Sequence, residues 1–253
     1  AVAACLLVPE GLGGGEGGGD DLAGGAGKVL AEWVTEGATE WDMWACDPRR
    51  YTDYTDRDYC IAKGMEVYGH EYAMHFPWHR WPAAPDRKVS PVHDKVKALG
   101  GVMGVYNGWE RANWFAKPGD DTSEAATQTW DRAGPWEARI REECEAVRDA
   151  CGVLDLPGFT RLWIEGAGAD DWLRGFVTGG LPKVGRMNLV YVADKRGRIV
   201  TEFSCIRLKE DSFVLITAAT AQWHDGELVR KALPEGLSLR ETTTERDALL
   251  LAG

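Results

Sequence analysis

The sequence has no C-x-x-C pair: its six cysteines, Cys5, Cys46, Cys60, Cys144, Cys151 and Cys205, are scattered through 253 residues. In a chain of this length that spacing argues against a disulfide framework, and a reducing compartment is expected. There is no basic excess either, since 29 Lys and Arg face 40 Asp and Glu, for a net charge of −11. A general binder of phosphate backbones needs clustered cations, so nucleic acid is not an expected partner. No apolar run approaches the roughly 18–20 residues that a membrane-spanning helix requires, and no membrane partner is expected. The apolar start, AVAACLLV, has neither an initiating Met nor a basic flank. It reads as a cut or misassigned start rather than a signal peptide.

What is present is 44% hydrophobic and 27% charged, enough for one large domain or two small ones with real cores. Residues 1–21 form a low-complexity, glycine-rich start. The glycines lead into KVLAEWVTEG, predicted as a helix over 28–37 with Val29, Leu30, Trp33 and Val34 on one side. A glycine turn that opens a helix lets an anionic group approach the helix N-terminus, whereas composition alone reads as a flexible linker. Residues 38–92 are rich in aromatics and turns. From 93 a short helix is expected, then a Gly-rich aromatic segment and a polar loop, KPGDDTSEAATQ.

PWEARIREECEAVRDAC predicts a helix over 135–151, with Pro135 in its first turn, Gly152 as its stop, and Trp136, Ile140, Val147 and Cys151 on one stripe. Strands are predicted at 159–166, 188–194, 198–206 and 212–218, and helices at 169–179 and 219–233. RLKED suits a hairpin loop between two of the strands. Both faces of these strands carry apolar residues, so a sheet covered on both sides is expected, and the fold class is α+β. The last segment, LSLRETTTERDALLLAG, starts another strand and then stops, so a truncated C-terminus is expected.

Several phrases resemble one family in one order. GGAGKVLAEWVTEG resembles the last flavin-contacting turn and helix of glycine-oxidase-like oxidoreductases. DMWACDPRRY, EVYGHEYAMHFP and Ser90-Pro91 resemble the central domain of dimethylglycine and sarcosine dehydrogenases. GWERANWFAKPG resembles the entry to the folate domain of that group. GVLDLPGFTRLWIEG, LPKVGRMNLVYVADKRGRI and EFSCIRL follow as in the glycine-cleavage T-protein fold. The resemblance covers roughly residues 22–253. It implies the end of a FAD-dependent oxidoreductase fold and a small central domain over 22–92. The N-terminal part of a T-protein-like folate-binding domain follows over 93–253. The N-terminal dinucleotide fold and the second half of the folate domain are not represented, so an interior fragment, inactive by itself, is expected.

The resemblance also implies site residues. Glu202, in GRIVTEFSCI, stands where the T-protein pattern places a carboxylate, usually Asp, beside the folate amine nitrogen. Among Val200, Ser204 and Ile206 such a group suits proton handling on an amine, giving it a catalytic and a folate-binding role. The plainer reading is a strand Glu on a solvated face. Asp155 and Leu156 resemble a turn lining the folate pocket; otherwise Asp155 starts an Asx turn before Pro157 and Gly158. Gly24, Gly25 and Gly27 would pack backbone against the flavin, or belong to a loose linker. Trp109, Glu110, Arg111 and Trp114 brace a domain interface or pack a core. His70, His75 and His79 have ligand-like spacing, but Pro77 interrupts them and no Cys supports them, so aromatic packing and no metal are expected.

The cofactors implied are tetrahydrofolate and, in the full-length parent, FAD. The implied partners are an N-methyl amine substrate, folate and, for the parent enzyme, an electron-transfer flavoprotein. The location implied is the mitochondrial matrix in a eukaryote, otherwise the cytoplasm. The alternatives are a non-catalytic relative of the pyruvate dehydrogenase phosphatase regulatory-subunit type, or an inactive gene-model fragment.

Overall fold

A computed structural model describes residues 18–253. The low-complexity start, up to residue 17, lies outside the described residues. Helix α1 spans Gly18–Glu36, so the turn expected at Gly24, Gly25 and Gly27 is helical instead. Each helical glycine costs about 1 kcal/mol relative to alanine, but no proline lies between Pro9 and Pro48 to break the ladder. The predicted apolar side is split: Val29 is buried while Val34 is exposed.

Residues 37–92 hold two short 3-10 turns, Trp44–Cys46 and Pro48–Tyr51, and one helix, α2, Arg57–Gly69. Asp56 caps α2 by accepting from the Tyr59 backbone N–H at 2.8 Å. The short helix α3, His93–Ala98, leads into a hairpin of β1, Gly101–Tyr106, and β2, Trp109–Phe115. Its turn residues Asn107 and Gly108 have φ of 50° and 80°, the Asn-Gly signature of a type I′ turn. That signal sits in the sequence, inside what reads there only as a Gly-rich aromatic segment.

Helix α4, Glu137–Asp149, contains no buried residue. Ile140 and Val147 remain over a third exposed, and it is Trp136, just ahead of the helix, that is buried with Val102 and Trp114. The charge-rich helix is therefore anchored at one end rather than along the predicted stripe.

The larger body is a five-stranded antiparallel sheet in the order β5-β6-β7-β4-β8. Its strands are β4, Thr160–Glu165; β5, Met187–Ala193; β6, Ile199–Lys209; β7, Ser212–Thr217; and β8, Ser238–Glu241. Helices α5, Ala169–Phe176, and α6, Gln222–Ala232, pack on one face. Because strand side chains alternate, Leu162, Ile164, Val190, Phe203, Cys205, Phe213 and Leu215 all point to that face and meet Leu173 and Val229.

The opposite face departs from the expectation of cover on both sides. At its β4–β8 end Trp163 donates to Thr242 at 3.0 Å and carries the Arg246 guanidinium 4.4 Å above its ring. At its β5–β6 end Met187 and Leu189 are 60% and 51% exposed. The second layer thus stops partway across the sheet. A further pair, β3 (Gly152–Asp155) with β9 (Leu249–Ala252), extends the chain's last segment beyond the single strand expected there.

Candidate functional site

Glu202 lies on β6 between core residues, so the strand's alternation turns its side chain to the open face. It is exposed, and its cross-strand partner is Tyr191 of β5. Ser204 and Ile206 follow on the same face, opposite Leu189 and Met187. Its surroundings are the exposed Leu189 and Met187 and the half-buried Tyr191 and Ile206, a surface on which a planar ligand can lie beside a carboxylate able to accept a proton.

Asp155 sits elsewhere, at the end of β3, on a different sheet from Glu202. Ser90 donates to its Oδ2 at 2.9 Å, and the pairing of β3 with β9 brings Asp247 into hydrogen-bonding reach. Burial first, and then the Asp247 carboxyl, push Asp155 up to about 6; the Ser90 hydroxyl and the His93 ring oppose the rise. Asp155 Oδ1 and Asp247 Oδ2 are both buried with no donor among the described residues, and one proton held between the two oxygens satisfies both. Arg161 faces the other oxygen of Asp247 at 3.7 Å. Leu156 is half-buried, its N–H donating to Ala248 at 2.9 Å.

Around this pair runs a polar network at the junction of residues 86–93 with the hairpin. His93 bonds to Asp86 at 2.8 Å, Lys97 donates to the same oxygen at 3.0 Å, and the Asp86 N–H donates to Glu110. Asp86, His93 and Glu110 bring ligand-type atoms within 4.8 Å of one another. Lys97 already neutralises Asp86 and holds its carboxyl below the usual range, so the set reads as a hydrogen-bonded brace rather than a metal centre. Trp109, 1% exposed, and Glu110 are buried in this brace, while Arg111 stacks over Tyr106 at 4.4 Å.

His70, His75 and His79 do come together, around Trp81, with ring centroids 5.6, 5.1 and 4.6 Å from it. This is aromatic packing, and burial, with the neighbouring His70 second, lowers the His79 pKa. Gly24, Gly25 and Gly27 lie within α1, where an added Cβ would meet nothing within 4 Å.

Sequence reasoning passed over Asp247 and Lys88. The apolar run before Ala252 could have marked β9 and so placed Asp247 at a strand edge. Lys88, 7% exposed between the rings of Tyr54 and Trp109, carries no local signal at all.

Residues 92–253 match the GCVT N-terminal domain, and residues 36–90 match the FAD dependent oxidoreductase central domain. The chain is 31% identical over 235 residues to the mitochondrial dimethylglycine dehydrogenase of Rattus norvegicus, covering 91% of this chain and 27% of that one. It is 28% identical over 240 residues to the mitochondrial pyruvate dehydrogenase phosphatase regulatory subunit of Mus musculus, covering 92% of this chain and 27% of the other. Against the crystal structure of glycine cleavage system aminomethyltransferase T from Bartonella henselae the TM-score is 0.49 at 21% identity, over 66% of this chain and 40% of that one. The chain spans about a quarter of the length of the curated relatives it matches.

Proposed function

The chain belongs to the GCVT N-terminal domain family, preceded by an FAD dependent oxidoreductase central domain, and from that premise we propose that it supplies folate-side residues of an N-methyl amine dehydrogenase of the dimethylglycine or sarcosine type. The observation that carries this reading is Glu202: a carboxylate with no hydrogen-bond partner among the described residues, on an open sheet face lined by Tyr191, Leu189 and Ile206. Tetrahydrofolate offers a flat ring system for such a surface and an amine nitrogen for the carboxylate. When that amine bonds to a one-carbon unit it loses a proton, and Glu202 is the base that accepts it. Asp155 and Leu156, at the Ser90–Asp247 junction, are the second folate-side contact in this reading, with Asp155 as a proton store.

A flavin, when bound in such an enzyme, oxidises the N-methyl amine. The residues present do not by themselves fit a flavin. Gly24, Gly25 and Gly27 offer bare helix backbone whose N–H groups belong to the helical ladder, leaving no donor for the cofactor. The flavin, the amine substrate and an electron-transfer flavoprotein belong, in this reading, to the longer parent enzyme, in the mitochondrial matrix of a eukaryote or the cytoplasm otherwise.

The likeness to the phosphatase regulatory subunit over 92% of the chain favours a second, non-catalytic reading. Titration of the chain with tetrahydrofolate, followed by quenching of tryptophan emission, separates the two. Saturable quenching that Glu202→Gln and Tyr191→Ala both weaken is expected. A chain that folds cooperatively yet shows no tetrahydrofolate binding would sink the folate reading in favour of the second.

A further inference from the structure

We propose that the cavity between the 49–54 turn, residues 87–89 and α6 is a binding site for a small organic anion with two acidic groups, separate from the Glu202 face. The cavity measures about 850 Å³, the size of a small-molecule site. Its charged lining is Arg49, Arg87, Lys88 and Arg230 against Asp53 and Glu241, a positive balance in a chain of net charge −11. Such a local inversion attracts and holds anions.

The pairing within the lining sets the valence. Arg49 is committed to Asp47 at 2.5 Å and Arg87 to Asp56 at 2.7 Å. Glu241 accepts from Gln222 and from Thr243. Two cations remain with no carboxylate within ion-pair distance among the described residues: Lys88 at the floor and Arg230 on the exposed side of α6. Among the described residues the bonding partners of Lys88 are neutral: the Gln222 side-chain carbonyl oxygen at 2.9 Å, the Thr52 hydroxyl at 3.5 Å, and the rings of Tyr54 and Trp109 about 5 Å away. Burial pulls its ammonium down to about 8. Glu241, in the same lining, opposes that fall without coming within ion-pair distance, and an anion seated beside the ammonium offsets more of the cost of burying it. Neutral donors line the same space: the hydroxyls of Thr52 and Thr244, and Trp223, whose buried Nε1 has no partner among the described residues. A smaller cavity of about 160 Å³ shares Tyr54 and Lys88 and adds Arg50, so the positive surface continues past Lys88.

The site is distinct from the folate-side face because α6 packs on the core face of the sheet, through Val229, while Glu202 points to the opposite face. Carboxylates and phosphates share the chemistry that two spaced cations recognise. Calorimetric titration of the whole chain at low salt with citrate, and separately with pyrophosphate, tests the proposal. One or both probes are expected to bind, about tenfold more weakly in Arg230→Glu and in Lys88→Met, and more weakly as salt is added. Stronger binding of citrate marks a polycarboxylate, and stronger binding of pyrophosphate a phosphate ester; either supports the site. Arg230 is exposed and Lys88→Met keeps the side-chain volume, so both variants should fold, which their urea transitions verify. Glu202→Gln should leave the titration unchanged. No heat with either probe, or equal binding by wild type and Arg230→Glu, overturns the proposal without touching the folate reading.

Discussion

Two neighbours on β6, Glu202 and Phe203, face opposite ways, and the molecule treats the two sides of that strand differently. On the core side Phe203 and Cys205 are fully buried, and burial pushes the Cys205 thiol up to about 12. The carboxylate on that side, Asp225 of α6, is 0% exposed and bonded to Thr201, Thr217 and His224. On the open side Glu202 is exposed, with no bonding partner among the described residues. A polar group on the core side is tied up by hydrogen bonds, whereas the carboxylate on the open face has none among the described residues. A side-chain period of two thus gives one strand a packed face and an open one.

The sharpest way to break this contrast is Phe203→Ala. Removing a fully buried aromatic ring leaves a cavity between the sheet and its helices, and about 3–5 kcal/mol of stability should be lost. Leu189→Ala, at 51% exposure on the open face, should cost less than about 1 kcal/mol. Urea transitions of the two variants measure the difference. Equal losses would mean that the open face is packed in solution.

Asp155 extends the comparison to a carboxyl that is neither fully buried nor free. Its folded pKa of about 6 lies above the roughly 3.9 of an unfolded Asp, so the folded chain holds this proton more tightly. Its contribution to stability is therefore complete below about pH 4 and is lost as pH rises through about 6. Partial exposure reduces the effect to the order of 1 kcal/mol. Asp155→Asn removes the titration and can still donate to Asp247. Its stability relative to wild type should rise from pH 4 to 7, read as a shift in urea midpoint. A difference independent of pH would show that Asp155 and Asp247 share no proton.

The parts that were legible in the sequence share a cause. The sheet strands β4 to β7 and the helices α5 and α6 are set by local periodicity, which one stretch of chain displays on its own. Glu202 was singled out by its resemblance to the T-protein pattern, and the alternation of β6, with Phe203 and Cys205 in the core, sets which way it points. The rest depends on pairing across the chain. The β3–β9 ladder joins Asp155 to Asp247, and neither segment alone shows the other. Lys88 is likewise buried by Tyr54, Trp109 and Gln222, three residues from separate elements. The helical course of Gly24, Gly25 and Gly27 runs against their intrinsic propensity, so composition pointed to a turn.

The smallest effect on stability, and the most informative for function, belongs to Glu202→Gln. An exposed carboxylate with no bonding partner has little to contribute to the fold, so its conversion to an amide should change stability by less than about 0.5 kcal/mol. The same change removes the carboxylate from β6's open face, and neither Ser204 nor Ile206 beside it can replace it as a base. In a parent enzyme carrying this chain, folate-linked transfer should fall by about 10²–10⁴-fold, while oxidation of the amine, measured with an artificial electron acceptor, continues. Glu202→Asp, which keeps the base and shortens it by one methylene, should recover part of the loss. A Gln variant that transfers as well as wild type would leave the open face as surface awaiting a partner, whereas one that unfolds would mean that Glu202 is tied into the structure.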